Sequence, residues 1–97
     1  MSVPAHFKDE ARLYQIRGRV QGVGYRYFAQ QAAARLALTG WTRNLDDGRV
    51  EVFAQGPVDR LTEFEGLLWK GPRWGEVRGV ESKLTTPENL RTFVIRH

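Results

Sequence analysis

The sequence predicts an α+β sandwich of β-α-β-β-α-β order, an antiparallel sheet with two helices on one face. Three observations predict it. An alternating apolar and polar stretch ends in a glycine-containing turn and gives way to an alanine-rich stretch of helical period. An Asp-Gly pair separates two further extended segments. A second helical pattern lies between Gly56-Pro57 and Gly71-Pro72, and extended segments follow it.

Residues 1–10 carry no periodic pattern and are expected to form a loose lead-in to one domain spanning 11–97. From Ala11 to Val20, Tyr14, Ile16, Gly18 and Val20 fall on one face and Gln15, Arg17 and Arg19 on the other. That alternation is the mark of a half-buried strand. Gln21-Gly22-Val23-Gly24-Tyr25 interrupts it, since two glycines break regular structure. Arg26 to Leu38 reads as a helix, with Phe28, Ala32 and Leu36 at a spacing of four and Ala29 and Ala33 beside them. Gly40 stands where a helix terminator belongs.

Trp41 to Leu45 is a short strand, and Asp46-Asp47-Gly48 is a hairpin turn. Arg49 to Gln55 returns as a strand, with Val50, Val52 and Ala54 on one face and Arg49, Glu51, Phe53 and Gln55 on the other. Proline at 57 suits a first helical turn. Val58, Leu61, Phe64, Leu67 and Leu68 give the helix after it one apolar face. Glu76 to Leu84 and Thr92 to His97 are extended, with a loop around Thr85-Thr86-Pro87-Glu88-Asn89 between them.

This order is the ferredoxin-like split βαβ arrangement. In it the first and second strands run parallel and flank the third. Their C-terminal ends share one end of the sheet, so the loop at Gln21 and the residue Asn44 are expected there together. Two strand spacings separate them, about 10 Å, a gap suited to a small phosphorylated ligand.

Composition narrows the function classes. The chain has 97 residues, so its core is small and its chemistry must use a surface cleft or a loop. It has no cysteine, which excludes disulfides, thiolate metal sites and cysteine nucleophiles and fits a reducing cytoplasm. The start Met1-Ser2-Val3-Pro4-Ala5-His6 has no apolar core of a signal peptide. No apolar run approaches the ~20 residues that span a bilayer. The net charge is +4, mostly from arginine, whose planar fork suits phosphate and carboxylate groups. Acidic residues are interspersed throughout, so no basic block marks a nucleic-acid footprint.

Gly18-Arg19-Val20-Gln21-Gly22-Val23-Gly24-Tyr25-Arg26 is a strand, a glycine turn and a helix start. Glycines let a backbone approach a ligand closely, and successive N–H groups in such a turn can form an anion-binding nest. The helix N-terminus adds unpaired donors and a positive dipole end. Arg26 adds a charged two-pronged donor. Its position opposes the dipole, a conflict that a bound anion resolves. Glycine loops before helices also occur simply as turns, and both readings stand at this point. The motif lacks the Gly-Lys-Ser/Thr ending of a Walker loop.

Asn44, at the end of its strand, offers an amide that both donates and accepts. The plainer reading has it only begin the turn through Asp46-Asp47-Gly48. His6 and His97 have no partners at metal-ligand spacing, and Asp46 and Asp47 read as turn formers. Trp41 and Trp69 are expected in or near the core; Trp74 is expected to be a cleft wall or loop packing.

Gly18 to Arg26, followed by Gly40-Trp41-Thr42-Arg43-Asn44 and Asp47-Gly48-Arg49-Val50-Glu51-Val52, resembles the acylphosphatase family, over roughly residues 11 to 97. The resemblance implies hydrolysis of a carboxyl–phosphate anhydride to a carboxylate and inorganic phosphate. It implies that Arg26 binds the phosphate with the backbone N–H groups of Gln21, Gly22, Val23, Gly24 and Tyr25, and that Asn44 positions the attacking water. A carboxylate leaves without a general acid, and phosphoryl transfer rests largely on positioning and charge stabilisation. Neither a metal nor a cofactor is therefore expected.

The expected partners are small acyl phosphates and phosphate, with no nucleic acid and no membrane, acting on a cytoplasmic monomer. Two other functions fit the fold. An RNA-binding module would carry a basic-Gly-aromatic-Gly/Ala-Phe motif on the strand Arg49 to Gln55, where only Phe53 is available. A non-catalytic small-anion regulatory domain would keep Arg26 and the loop and would not need Asn44.

Overall fold

A computed structural model describes residues 9–97. The elements are β1 (Asp9–Arg19), α1 (Tyr25–Arg35), β2 (Thr39–Asn44), β3 (Val50–Pro57), α2 (Val58–Lys70), β4 (Glu76–Thr85) and β5 (Phe93–Ile95). They form one five-stranded sheet of order β4-β1-β3-β2-β5. β1 and β2 each pair antiparallel with β3 and therefore run parallel to each other, with β3 between them. β4 extends the sheet antiparallel to β1, and β5 extends it parallel to β2. The expected sandwich is present, and its last extended region contributes a strand to each edge. Among the described strands the parallel pair is β2 with β5, and it makes the sheet mixed.

The expected lead-in lies outside the described residues up to position 8, and its last two residues, Asp9 and Glu10, already pair with Pro57 and Gly56 as the start of β1.

The alternation in β1 and β3 sorts the side chains between the two faces. Tyr14, Ile16, Val50, Val52 and Ala54 lie under the helices and are almost fully buried. From α1, Tyr25, Ala29, Ala32 and Ala33 join that cluster; small alanines let the helix sit close to the sheet. From α2, Leu61, Phe64 and Leu68 join it, with the Phe64 ring edge-on to Tyr14 at 5.9 Å and to Phe93 at 6.2 Å. Each such large side chain stabilises the fold by about 2 kcal/mol on burial.

Three local expectations change. α1 stops at Arg35, and Ala37 takes the positive φ that reverses the chain. Gly40 is thus no helix terminator. It lies within β2, where a Cβ would collide with the Phe53 carbonyl, so glycine there permits close approach of β3. Trp69, expected in or near the core, is 48% exposed on the outer side of α2. Its neighbours Leu68 and Leu67 take the inward positions, leaving it the outer one.

The face away from the helices holds a second, smaller apolar cluster. Trp41 stacks on Phe53 at 5.7 Å between ring centres, with Ala11 buried beside them and Leu13 and Leu90 packed against them. Glu51 is buried on this face too, held by Arg43 at 2.8 Å and by the Gln15 amide at 3.0 Å.

Candidate active site

β1 and β2 end side by side at one end of the sheet, separated by β3. The loop between β1 and α1 and the turn between β2 and β3 therefore face each other across a cleft of about 310 Å³. Val20, Gly22, Gly24, Tyr25, Arg26, Tyr27 and Asn44 line it, joined by Ile95 and His97 from the end of the chain. Residues from two motifs nearly twenty positions apart in sequence are thus brought to one cleft, as the topology requires.

The loop has the geometry of an anion nest. Gly22 has φ 75° and Gly24 φ 81°, whereas Val23 between them keeps a negative φ. Such alternation turns successive N–H groups toward one point. Among the described residues no carbonyl accepts a hydrogen bond from the N–H groups of Gly22, Val23 or Gly24. Gly24 is the N-cap of α1, so the first unpaired donors of that helix open onto the same cleft. A Cβ at Gly22 or Gly24 would meet nothing within 4 Å, so glycine serves the backbone conformation there rather than close packing.

The loop is shaped from behind. Tyr25 turns inward, and its hydroxyl donates to the Leu68 carbonyl at 2.7 Å. Burial pushes that phenol well above its usual pKa, so it stays a neutral donor. Val23 packs toward the core and lies beside Gly75, where a Cβ would come within 3.3 Å of it. Arg19 donates to the Trp74 carbonyl at 3.1 Å, adding a second tie to the segment ahead of β4.

Gln21 is placed differently from its neighbours. Its side-chain amide donates to the Leu45 carbonyl at 2.8 Å and to the Arg49 carbonyl at 2.9 Å. It bridges the loop to the β2–β3 turn and so sets the distance between the nest and Asn44. No feature of the sequence short of the sheet order pointed to this tie.

Arg26, in the first turn of α1, is half-buried at the cleft edge. Its guanidinium donates to the Arg96 carbonyl at 3.0 Å and lies 3.4 Å from Nδ1 of His97. The Arg96 N–H in turn donates to the Thr42 carbonyl at 2.8 Å, which fastens the end of the chain to β2. The participation of the C-terminal residues follows from the parallel β2–β5 pairing, which has no local sequence signal.

Asn44 is the last residue of β2, opposite Val50, with its exposed side chain at the cleft. The turn after it closes on itself: Leu45 N–H donates to the Arg49 carbonyl at 2.8 Å, and Asp47 pairs with Arg49 at 2.8 Å. Hydrogen bonds from the Arg49 side chain and backbone hold the Asp47 carboxyl below its usual pKa. Asp46 and Asp47 are thus turn residues. Trp74 is 67% exposed and lies outside the lining of the cleft. Among the described residues no three His, Cys, Asp or Glu side chains gather at metal-binding distance.

Comparison with known proteins agrees with this geometry. The acylphosphatase family model matches residues 12–95. An acylphosphatase from Solibacter usitatus is 55% identical over 96 residues, 99% of this chain and 100% of the relative. The crystal structure of acylphosphatase from Bacillus subtilis superposes with a TM-score of 0.86 at 36% identity, covering 93% of this chain and 100% of that one. The structure of an acylphosphatase from Coxiella burnetii gives a TM-score of 0.87 at 33% identity, covering 91% and 93%. A family match over most of its length, and the sandwich that places the two motifs on one cleft, show that the chain belongs to the acylphosphatase family.

Proposed function

We propose that the cleft between the Gln21–Arg26 loop and Asn44 is where this chain, a hydrolase of the acylphosphatase family, cleaves the carboxyl–phosphate bond. The observation that carries this reading is the nest itself: three adjacent N–H groups without an acceptor among the described residues, beside one guanidinium, at a helix N-terminus. The N–H groups of the loop, Gln21 to Tyr25, bind the phosphoryl oxygens, and Arg26 pairs with their charge. Asn44 accepts from the attacking water and orients it toward phosphorus. The water oxygen bonds to phosphorus as the bond from phosphorus to the acyl oxygen breaks. A carboxylate and inorganic phosphate result.

Donors fixed in place before the reaction stabilise charge without reorganising during it. A neutral amide can orient water without repelling an anionic phosphate, as a carboxylate would. Small acyl phosphates, rather than a nucleic acid or a membrane, are the partners. No helix among the described residues is long and apolar enough to cross a membrane. The reading has residues 11–97 act as one cytoplasmic, monomeric unit without metal or cofactor. The cysteine-free sequence and its interspersed charges support the cytoplasmic part.

Titration of ¹⁵N-labelled protein with inorganic phosphate tests the binding half. The amide signals of Gly22, Val23, Gly24 and Tyr25 are expected to shift most, with saturation. Shifts spread over the sheet surface, with the loop signals still, would contradict the assignment. A phosphate-binding protein that releases no phosphate from benzoyl phosphate would be a regulatory domain instead.

A further inference from the structure

Beside the phosphate cleft runs a larger groove of about 640 Å³, between α1 and the segment that leads from α2 to β4. Tyr27 lines both the cleft and the groove, and it is 63% exposed. Phe28 and Gln31 continue the α1 wall, and Lys70 and Arg73 stand on the opposite wall. We propose that this groove receives the acyl part of the substrate, and that it favours acyl phosphates in which a flat apolar segment leads to a second anionic group.

The inference rests on the phosphate being bound by the loop and Arg26. From there the acyl group must leave the cleft, and the groove that shares Tyr27 adjoins it. The first surface along it is aromatic, from Tyr27 and Phe28. Beyond that, the charged side chains lining the groove are Lys70 and Arg73, both cationic.

Lys70 and Arg73 belong to the cations that no acidic neighbour among the described residues neutralises, as several others on the molecule do. Arg12, Arg43, Arg49 and Arg78 each pair with a carboxylate. Among the described residues no carboxylate pairs with Lys70 or Arg73, though both are exposed. Arg73 lies over the Trp74 ring at 5.2 Å, which braces the guanidinium on an aromatic face. Lys70 ends α2, where the negative end of the helix dipole favours a cation. Two cations without an acidic partner among the described residues, one of them held over an aromatic face, recognise an anion by charge.

The test compares 4-(carboxymethyl)benzoyl phosphate with its methyl ester, which has the same ring and nearly the same size but no distal charge. The methylene keeps the two leaving groups similar. Wild type is expected to give a kcat/KM about tenfold higher for the acid, the scale of two exposed charge contacts. In the double variant Lys70→Glu/Arg73→Glu, checked for folding by circular dichroism, the acid-to-ester ratio is expected to fall to one or below. Equal kcat/KM for acid and ester in wild type, or a ratio unchanged in the double variant, would overturn the subsite. Acetyl phosphate, too short to reach it, separates the two levels: turnover of acetyl phosphate with no acid preference removes only the subsite. No turnover of acetyl phosphate removes the hydrolytic reading and the subsite with it.

Discussion

The loop before α1 and the turn after β2 meet at the same end of the sheet, yet they are held in opposite ways. The turn is closed by its own atoms: Gly48 N–H donates to the Leu45 carbonyl at 3.2 Å, Leu45 N–H to the Arg49 carbonyl, and Asp47 binds Arg49. The loop is shaped by its neighbours: the Gln21 amide reaches across to the turn, and Tyr25 is anchored on α2. A loop that presents its N–H groups to a ligand cannot also use them to hold its own shape. Its surroundings must supply the form, and here they are α2, the segment ahead of β4 and the self-closed turn.

The comparison can be broken most severely at Arg26. Arg26→Ala is expected to lower kcat/KM on benzoyl phosphate about 10³-fold, roughly 4 kcal/mol, while the thermal midpoint stays close to wild type. An effect confined to stability would make Arg26 a structural residue of the C-terminal contact.

Gln21→Ala removes the bridge between loop and turn. It is expected to lower kcat about tenfold and stability by about 1–2 kcal/mol, the usual value of two hydrogen bonds. Urea unfolding read beside the phosphate-release rate checks both. A loss of stability with unchanged kcat would show that the bridge does not set the catalytic distance.

Gly24→Ala keeps every side chain and strains one backbone position with φ 81°. About 1 kcal/mol of stability is expected to be lost, with kcat reduced several-fold as the donors turn from their common point. Wild-type rates in that variant would count against the nest.

The smallest effect belongs to the turn. Asp47 has a depressed pKa in the folded state, so its contribution to stability is present above the ordinary carboxylate pKa. That contribution disappears as pH falls through the lower, folded value. Asp47→Asn is expected to flatten this acid-side dependence in thermal melts at neutral and acid pH, and to leave kcat within about twofold. A large loss of activity would mean that the turn takes part in the chemistry.

Much of this was legible in the sequence where the signal is local. Alternation in Ala11 to Val20 placed Tyr14 and Ile16 under the helices, and Asp47-Gly48 placed the hairpin. The two motifs came to one end of the sheet because strand order alone dictates it. What stayed hidden depends on contacts between distant segments. The Gln21 bridge needs the loop and the turn already in place. The Arg26 contact with Arg96 needs the short β5 to choose β2 over the other edge. The outward side of Trp69 agrees with the helical period, which gave Leu67 and Leu68 the inward positions; the expectation of Trp69 in or near the core did not follow from that pattern.

A buried tyrosine adds one feature that patterning cannot show. The Tyr14 hydroxyl is enclosed without a hydrogen bond of ordinary geometry among the described residues. Burial pushes its pKa up to about 12, and Arg12 nearby pulls it partly back.

The central claim divides binding from chemistry: Arg26 and the loop hold phosphate, and Asn44 orients water. The most direct measurement is kcat on benzoyl phosphate beside the inhibition constant of inorganic phosphate, in wild type, Arg26→Ala and Asn44→Ala, each confirmed as folded. The account predicts that Asn44→Ala loses about 10²-fold or more in kcat with the phosphate inhibition constant nearly unchanged, while Arg26→Ala weakens phosphate inhibition itself. Weakened phosphate binding with undiminished kcat in Asn44→Ala would contradict it.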